Sequence, residues 1–300
     1  MRVFVTGASG HVASAVVPEL ISAGHEVAGL ARSDSSAATV AGYGATVVRG
    51  DLNDLDGLRE AAATADGVIH LAFNHEAMQS GDYDGAAAMD LAAIHALADG
   101  LDRGNAFVGT SGTLMLLGAG LDRAGTEDDV SPGGPRVDAE NFVAGLAERG
   151  IRSSVVRLPP VVHSELDHHG FITSVIATAR EKGVSAYVGE GTNRWPAGHT
   201  LDAGRLYQLA LDKAPAGSRL HAVGDEGIPF LRIAETVGQR LDVPVKSITA
   251  EEAPAHFGFL GGLVQLDNPV SNARTREILG WEPSHPGLLE DLALEHYFKI

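Results

Sequence analysis

The stretch RVFVTGASGHVA, residues 2–13, decides the fold. Residues 2–6 read as a short strand, Gly7-Ala8-Ser9-Gly10 interrupts it, and His11-Val12-Ala13 opens an apolar run of helix length. Strand, glycine turn and helix together form the context a dinucleotide fingerprint requires. Gly7 permits the tight turn, Gly10 lets the backbone approach a pyrophosphate, and the small Ala13 allows close packing of helix on strand. The turn from Ser9 through His11 and Val12 then offers N–H groups at the positive end of the helix to the phosphates. Glycines alone are a weak signal, and a merely structural turn is the bland alternative.

Downstream the alternation repeats. Strands are expected at 2–6, 26–31, 46–48, 67–71, 106–110 and 153–158, with helices near 11–23, 36–42, 55–63, 84–101 and 137–149. This is the rhythm of βαβ units and of an α/β, Rossmann-type doubly wound parallel sheet. Gly24 and Gly150 are placed as left-handed C-caps, and Pro18 should kink the first helix. Beyond Leu158 come two prolines, a cluster of His163, His168 and His169, a helical stretch near 171–182, and a segment, 187–200, that carries Trp195. A further helix is expected at 202–211 with Asp202 as its N-cap. The expected organisation is a dinucleotide-binding domain over 1–160, to which 199–230 returns, and a smaller, mostly helical substrate lobe from 161–198 and 231–300.

The end of the second strand reads Leu30-Ala31-Arg32-Ser33. A carboxylate at this point accepts hydrogen bonds from a free adenosine ribose, whereas a guanidinium and a hydroxyl suit a 2′-phosphate. The expected cofactor is therefore NADP (NADPH); the alternative is that Arg32 is an ordinary solvated residue.

Composition narrows the rest. The 300 residues carry 22 basic and 39 acidic side chains, a formal charge of −17, with 44% hydrophobic residues and a mean hydropathy of +0.04. Such a chain is globular, and its negative surface repels phosphate backbones and anionic lipid, so neither nucleic acid nor membrane is expected as a partner. No run approaches the roughly 18 apolar residues that span a bilayer. With the first strand starting at Arg2 no signal peptide is expected, and a cytoplasmic location fits. The absence of cysteine removes disulfides, thiolate metal sites and cysteine nucleophiles.

In order along the chain, Thr6-Gly7-x-x-Gly10-x-x-Ala13, Gly50-Asp51-Leu52, His70-Leu71-Ala72, Thr110-Ser111-Gly112 and Arg157-Leu158-Pro159-Pro160 resemble the extended short-chain dehydrogenase/reductase superfamily, in its NAD-dependent epimerase/dehydratase-like branch. The resemblance covers nearly the whole chain. It implies that Asp51 and Leu52 border the adenine, Leu71 and Ala72 the pyrophosphate and ribose, and Pro159 with its neighbours the nicotinamide, while the C-terminal lobe closes over a small-molecule substrate. It also allows a homodimer through the helices near 84–101 and 137–149.

Members of that superfamily use a Tyr-x-x-x-Lys pair on the helix before the sixth strand, the tyrosine moving the substrate proton and the lysine lowering its pKa and holding the ribose. The five tyrosines stand at 43, 83, 187, 207 and 297, and the first lysine is Lys182. No alignment supplies the pair. Matching Glu140 to the acidic residue that follows the lysine puts Arg136 at the lysine and Pro132 at the tyrosine; counting from Ser111 puts Arg136 and Glu140 at the two positions. The chain thus resembles atypical members.

Ser111 matches the superfamily's catalytic serine and Thr113 is a second donor candidate, although hydroxyls at strand ends often satisfy only local backbone. Among thirteen histidines, His75 and His163 follow strand ends that face the nicotinamide and are candidate proton sources, each with a surface or structural alternative. His168 and His169 diverge as neighbours, so no metal is expected. Trp195 and His199 are candidate substrate contacts, with lobe packing as the alternative. Arg136 either pairs with Glu140 one turn on or holds the ribose in place of lysine. The leading expectation is an NADP(H)-dependent oxidoreductase of atypical short-chain type, transferring hydride between nicotinamide and a small carbonyl, imine or activated alkene. The rivals are a non-catalytic NADP-binding redox sensor and a redox-neutral epimerase or dehydratase.

Overall fold

Val3 and Val5 of the first strand, β1 (Arg2–Thr6), pack on one side of a sheet and Phe4 on the other, the period-2 alternation of a strand buried on both faces. The computed structural model describes residues 1–299. After β1 come α1 (Ala13–Ser22), β2 (Glu26–Ala31), α2 (Asp34–Gly42), β3 (Thr46–Arg49), α3 (Leu55–Ala63), β4 (Gly67–His70), α4 (His75–Gln79), α5 (Tyr83–Gly100), β5 (Ala106–Gly112), α6 (Pro135–Gly145) and β6 (Arg152–Leu158). The remainder is β7 (Val161–His163), α7 (Phe171–Lys182), β8 (Ser185–Val188), β9 (Arg194–His199), α8 (Thr200–Lys213), β10 (Ser218–His221), β11 (Asp225–Pro229), α9 (Phe230–Leu241), β12 (Val245–Ile248), α10 (Ala253–Phe257), α11 (Ala273–Leu279) and α12 (Leu288–Leu292).

Seven strands form one parallel sheet in the order β3-β2-β1-β4-β5-β6-β10. The order reverses between β1 and β4, the switch point where open α/β sheets bind ligands. Side chains of α1, α2 and α8 join Val3 and Val5 in one core, and those of α3, α5 and α6 join Phe4 in another. A third core, with Trp195, Phe230 and Phe257, fills a lobe built on the three-stranded sheet β11-β9-β7 and the parallel pair β12-β8. Among the described residues no helix is long and apolar enough to cross a membrane.

Three local features depart from the sequence reading. The helix after β5 starts at Pro135, at its first position, and ends at Gly145, with a separate 3-10 turn over Leu146–Arg149. Helix α8 starts at Thr200, because the His199 ring, not Asp202, caps it by accepting from Leu201 N–H at 3.2 Å. Asp202, inside the first turn, instead accepts from Ser284 N–H at 3.0 Å and His285 N–H at 3.1 Å, clasping a distant loop.

Candidate active site at the carboxyl edge of the sheet

Gly7 sits at φ +65°, and a Cβ there would lie 2.7 Å from the backbone nitrogen of Ala72, so the turn needs glycine for conformation and for space. At Gly10 an added Cβ would meet only the Gly7 carbonyl, at 3.2 Å, which leaves its outer side open to a ligand. No side chain caps α1 and its first turn has no acidic residue, so the positive helix end is left for an anion. These features fit a dinucleotide pyrophosphate. Ser9 is exposed beside them, Val12 packs against the sheet core, and Leu71 and Ala72 close the turn from the β4 side. His11 is drawn the other way: its Nε2 meets Thr200 Oγ1 at 2.9 Å, and burial holds its ring below the usual histidine range although Asp167 opposes this.

At the adenosine end Arg32 is 71% exposed, and its nearest ionic partner is Glu76 on α4, 3.5 Å away. Ser33 caps α2, its hydroxyl accepting from Ser36 N–H at 3.1 Å. Asp51 accepts from Asn53 N–H at 2.7 Å, and Leu52 leans on the α3–α5–α6 core.

Between these ends runs a buried polar chain. Ala72 N–H donates to Thr6 Oγ1 (3.4 Å), Thr6 O–H faces His70 Nδ1 (2.7 Å), and His70 Nε2–H donates to Asp90 Oδ1 (3.0 Å). The other Asp90 oxygen accepts from Arg136 Nη1 at 2.9 Å, and Arg136 Nη2 donates to the Thr110 carbonyl at 3.1 Å. Phe73 lies under the guanidinium with its ring centre 4.2 Å from Cζ. Arg136 and Glu140 therefore do not form an i,i+4 pair. Glu140 points inward to Arg157 and Arg219, whose hydrogen bonds and charges outweigh its burial and hold its carboxyl below the usual range.

Ser111 is 3% exposed and faces Glu140, close enough to bias that carboxyl but outside hydrogen-bond geometry, so its Oγ has no partner among the described residues. The neighbouring Thr110 turns to the opposite face, where its hydroxyl meets Tyr207 Oη at 2.7 Å. Thr113 is fully buried and donates to Asn268 Oδ1 at 2.8 Å, which commits it to joining the two halves. Pro159 is buried at the end of β6.

The proposed proton carriers separate. His75 stays at the carboxyl edge, packed edge-on to Phe73, its ring held below the usual histidine range first by burial and then by the Arg136 cation. His163 is fully buried, with Nδ1 on Asp291 at 2.8 Å, so it is closed to a substrate. Trp195 is corrected from pocket wall to core: it is 1% exposed and packs on Phe230 at 5.0 Å. His199 caps α8 and stacks on His285 at 4.6 Å. His199, Asp202 and His285 do bring three residues of metal-ligand type together, but the two rings are within 8° of parallel and Asp202 is occupied by the 284–285 loop. A hollow of about 320 Å³, with Leu116, Arg123, Arg194 and Asn268 in its wall, lies between the 3-10 turn after β5 and the lobe. A larger one of about 630 Å³, along α9 and β12, shares no residue with the carboxyl edge.

Residues 3–106 match the model of the NAD dependent epimerase/dehydratase family. An uncharacterized protein of Schizosaccharomyces pombe is 45% identical over 302 residues, covering 99% of this chain and 100% of that protein. The chain belongs to the NAD-dependent epimerase/dehydratase family. The decarboxylating sterol-4-alpha-carboxylate 3-dehydrogenase of Dictyostelium discoideum is 27% identical over 247 residues, 76% of this chain and 73% of that one. In fold the chain is similar to dTDP-glucose 4,6-dehydratase from Streptomyces venezuelae, solved with NAD bound, at a TM-score of 0.76 and 17% identity over 99% of this chain and 98% of the other. The epimerase/dehydratase family binds nicotinamide cofactors and its members are typically enzymes.

Within this epimerase/dehydratase fold, α6 holds neither tyrosine nor lysine, and Arg136 is its one cation. The sequence reading missed Asp90 and Phe73, and gave His70 only as part of a motif. Asp90 left a signal: it falls on the stripe Ala86, Asp90, Ala93, Ile94, Leu97 that α5 buries, where a carboxylate needs a partner.

Proposed function

We propose that this family member is an NADP(H)-dependent oxidoreductase acting on a small organic carbonyl, imine or activated alkene, without the Tyr/Lys pair. Arg136 carries the reading. Its guanidinium is locked by Asp90, the Thr110 carbonyl and Phe73 at the edge where the nicotinamide would lie, with N–H groups to spare. A guanidinium stays protonated, so it can polarise a developing oxyanion or hold the ribose but cannot take a proton and return it. Sugar-nucleotide epimerisation and dehydration need a group that takes an alcohol proton during oxidation and later returns it, whereas one-way reduction needs only a donor that solvent can refill. The sterol dehydrogenase relative agrees with redox chemistry.

Gly7, Gly10 and the uncapped end of α1 would hold the pyrophosphate, Arg32 and Ser33 a 2′-phosphate, and the bound nicotinamide would supply the hydride. Fluorescence titration with NADPH and NADH tests the cofactor, and NADPH absorbance with a panel of quinones, enones, imines and ketones tests the chemistry. Preference for NADPH with consumption by one class of probe is the expected result. Tight NADPH binding with silence across the panel would instead favour a redox sensor.

A further inference from the structure

We propose that Tyr83, the first residue of α5, is the proton donor of this reductase, a role that rests on the oxidoreductase reading above. Reduction needs a proton as well as a hydride, and on α6 the Arg136 guanidinium does not release one while Glu140 is tied to Arg157 and Arg219, which hold its carboxyl below the usual range. Tyr83 is placed from a different element. Asp82 caps α5 by accepting from Gly85 N–H at 3.0 Å, which fixes the backbone from which the half-buried phenol projects. The phenol reaches the turn that follows β5, where Oη lies 3.9 Å from Met115 Sδ, two residues past Thr113 and four past Ser111. A thioether is a weak acceptor, so the O–H remains available to a better one.

The charged groups acting on the phenol are Arg136, Asp90 and Asp84. Burial raises its pKa, so it holds its proton at neutral pH, and Arg136 pulls in the opposite direction, favouring the phenolate that donation leaves behind. His75, by contrast, is held below the usual histidine range, first by burial and then by the Arg136 cation. A bound NADPH would supply the hydride to the carbonyl carbon; Tyr83 would give its O–H proton to the oxygen on which the C=O π pair collects, and the phenolate would regain a proton from solvent, so that the carbonyl would become an alcohol at the cost of one NADPH and one solvent proton.

Two measurements test this. In the cofactor-free protein labelled at tyrosine Cζ with 13C, the NMR titration midpoint of Tyr83 should rise in R136Q and stay near wild type in R136K; an unchanged midpoint in R136Q overturns the proposal whether or not any probe is reduced. With NADPH and 9,10-phenanthrenequinone or 2-cyclohexenone, Y83F should lose about a hundredfold or more in kcat. Its NADPH affinity by fluorescence should stay within about twofold of wild type. A Y83F enzyme as fast as wild type overturns the role of Tyr83 and leaves the oxidoreductase reading standing. Wild-type protein inert toward every probe overturns both.

Discussion

Asp90 and Arg136 meet at 2.9 Å from helices that the chain separates by an entire strand and loop, and the same carboxylate receives His70 at 3.0 Å. The pair is nearly dry, Asp90 at 2% and Arg136 at 14% side-chain exposure. Removing the negative charge strands a cation in a low-dielectric site. Asp90→Asn should cost about 3 kcal/mol of stability, read as a shift in the urea midpoint. It should also lower turnover more than NADPH affinity, because it frees Arg136 without touching the glycine turn. An Asp90→Asn protein as stable and as fast as wild type would show that the carboxylate does not position the guanidinium.

Arg32 and Glu76, 3.5 Å apart, set up a competition. A 2′-phosphate would have to take the guanidinium from Glu76, on a helix that crosses the adenosine end. Arg32→Ala should therefore weaken NADPH binding by about tenfold or more, the worth of a charge-assisted hydrogen bond, and leave NADH unchanged. Glu76→Gln should strengthen NADPH binding a few-fold, again without effect on NADH. Equal responses of the two nucleotides would remove Arg32 from the phosphate site.

The layered sheet was legible because its signals are local: Val3 and Val5 against Phe4 give the strand, and the glycine turn that follows gives the switch point. The Asp90–Arg136 pair was not, because nothing short of the packing of α5 on α6 brings residue 90 to residue 136. Asp202 misled for a related reason. A carboxylate early in a helix resembles a cap, but the one that caps is the His199 ring, and the carboxylate is spent on a loop 82 residues on. Trp195 was ambiguous in kind, since a large aromatic on a glycine-bearing segment suits a pocket or a core equally.

The core position of Trp195 makes a prediction that a pocket wall would not. Trp195→Ala should destabilise the chain by about 3–5 kcal/mol, the cost of a large buried cavity, with Trp195→Phe costing less because the edge-on contact with Phe230 is partly kept. Thermal melts of both variants check this. NADPH affinity of the folded Phe variant should match wild type, and a selective loss of substrate binding with intact stability would return Trp195 to the site.

Acid should destabilise the protein well before its carboxylates titrate. His221 is fully buried, its Nδ1–H donating to the Ser271 carbonyl at 2.7 Å and its Nε2 accepting from Arg157 at 3.2 Å, an arrangement only the neutral ring can make. Burial, reinforced by the Arg157 cation and opposed by Glu127, lowers its pKa to about 4. His199, buried and beside two other histidines, is lowered to about 4 as well. Unfolded histidines titrate near 6.5, so between about 6.5 and 4 the unfolded chain binds protons that the folded chain refuses. Stability is then full above about pH 7 and falls with pH through that window, by on the order of 1–3 kcal/mol for His221. Urea midpoints at several pH values across this range measure it. His221→Gln, which keeps one donor and one acceptor but cannot take a proton, should flatten the slope; a wild-type midpoint constant down to pH 4.5 would contradict the neutral buried ring.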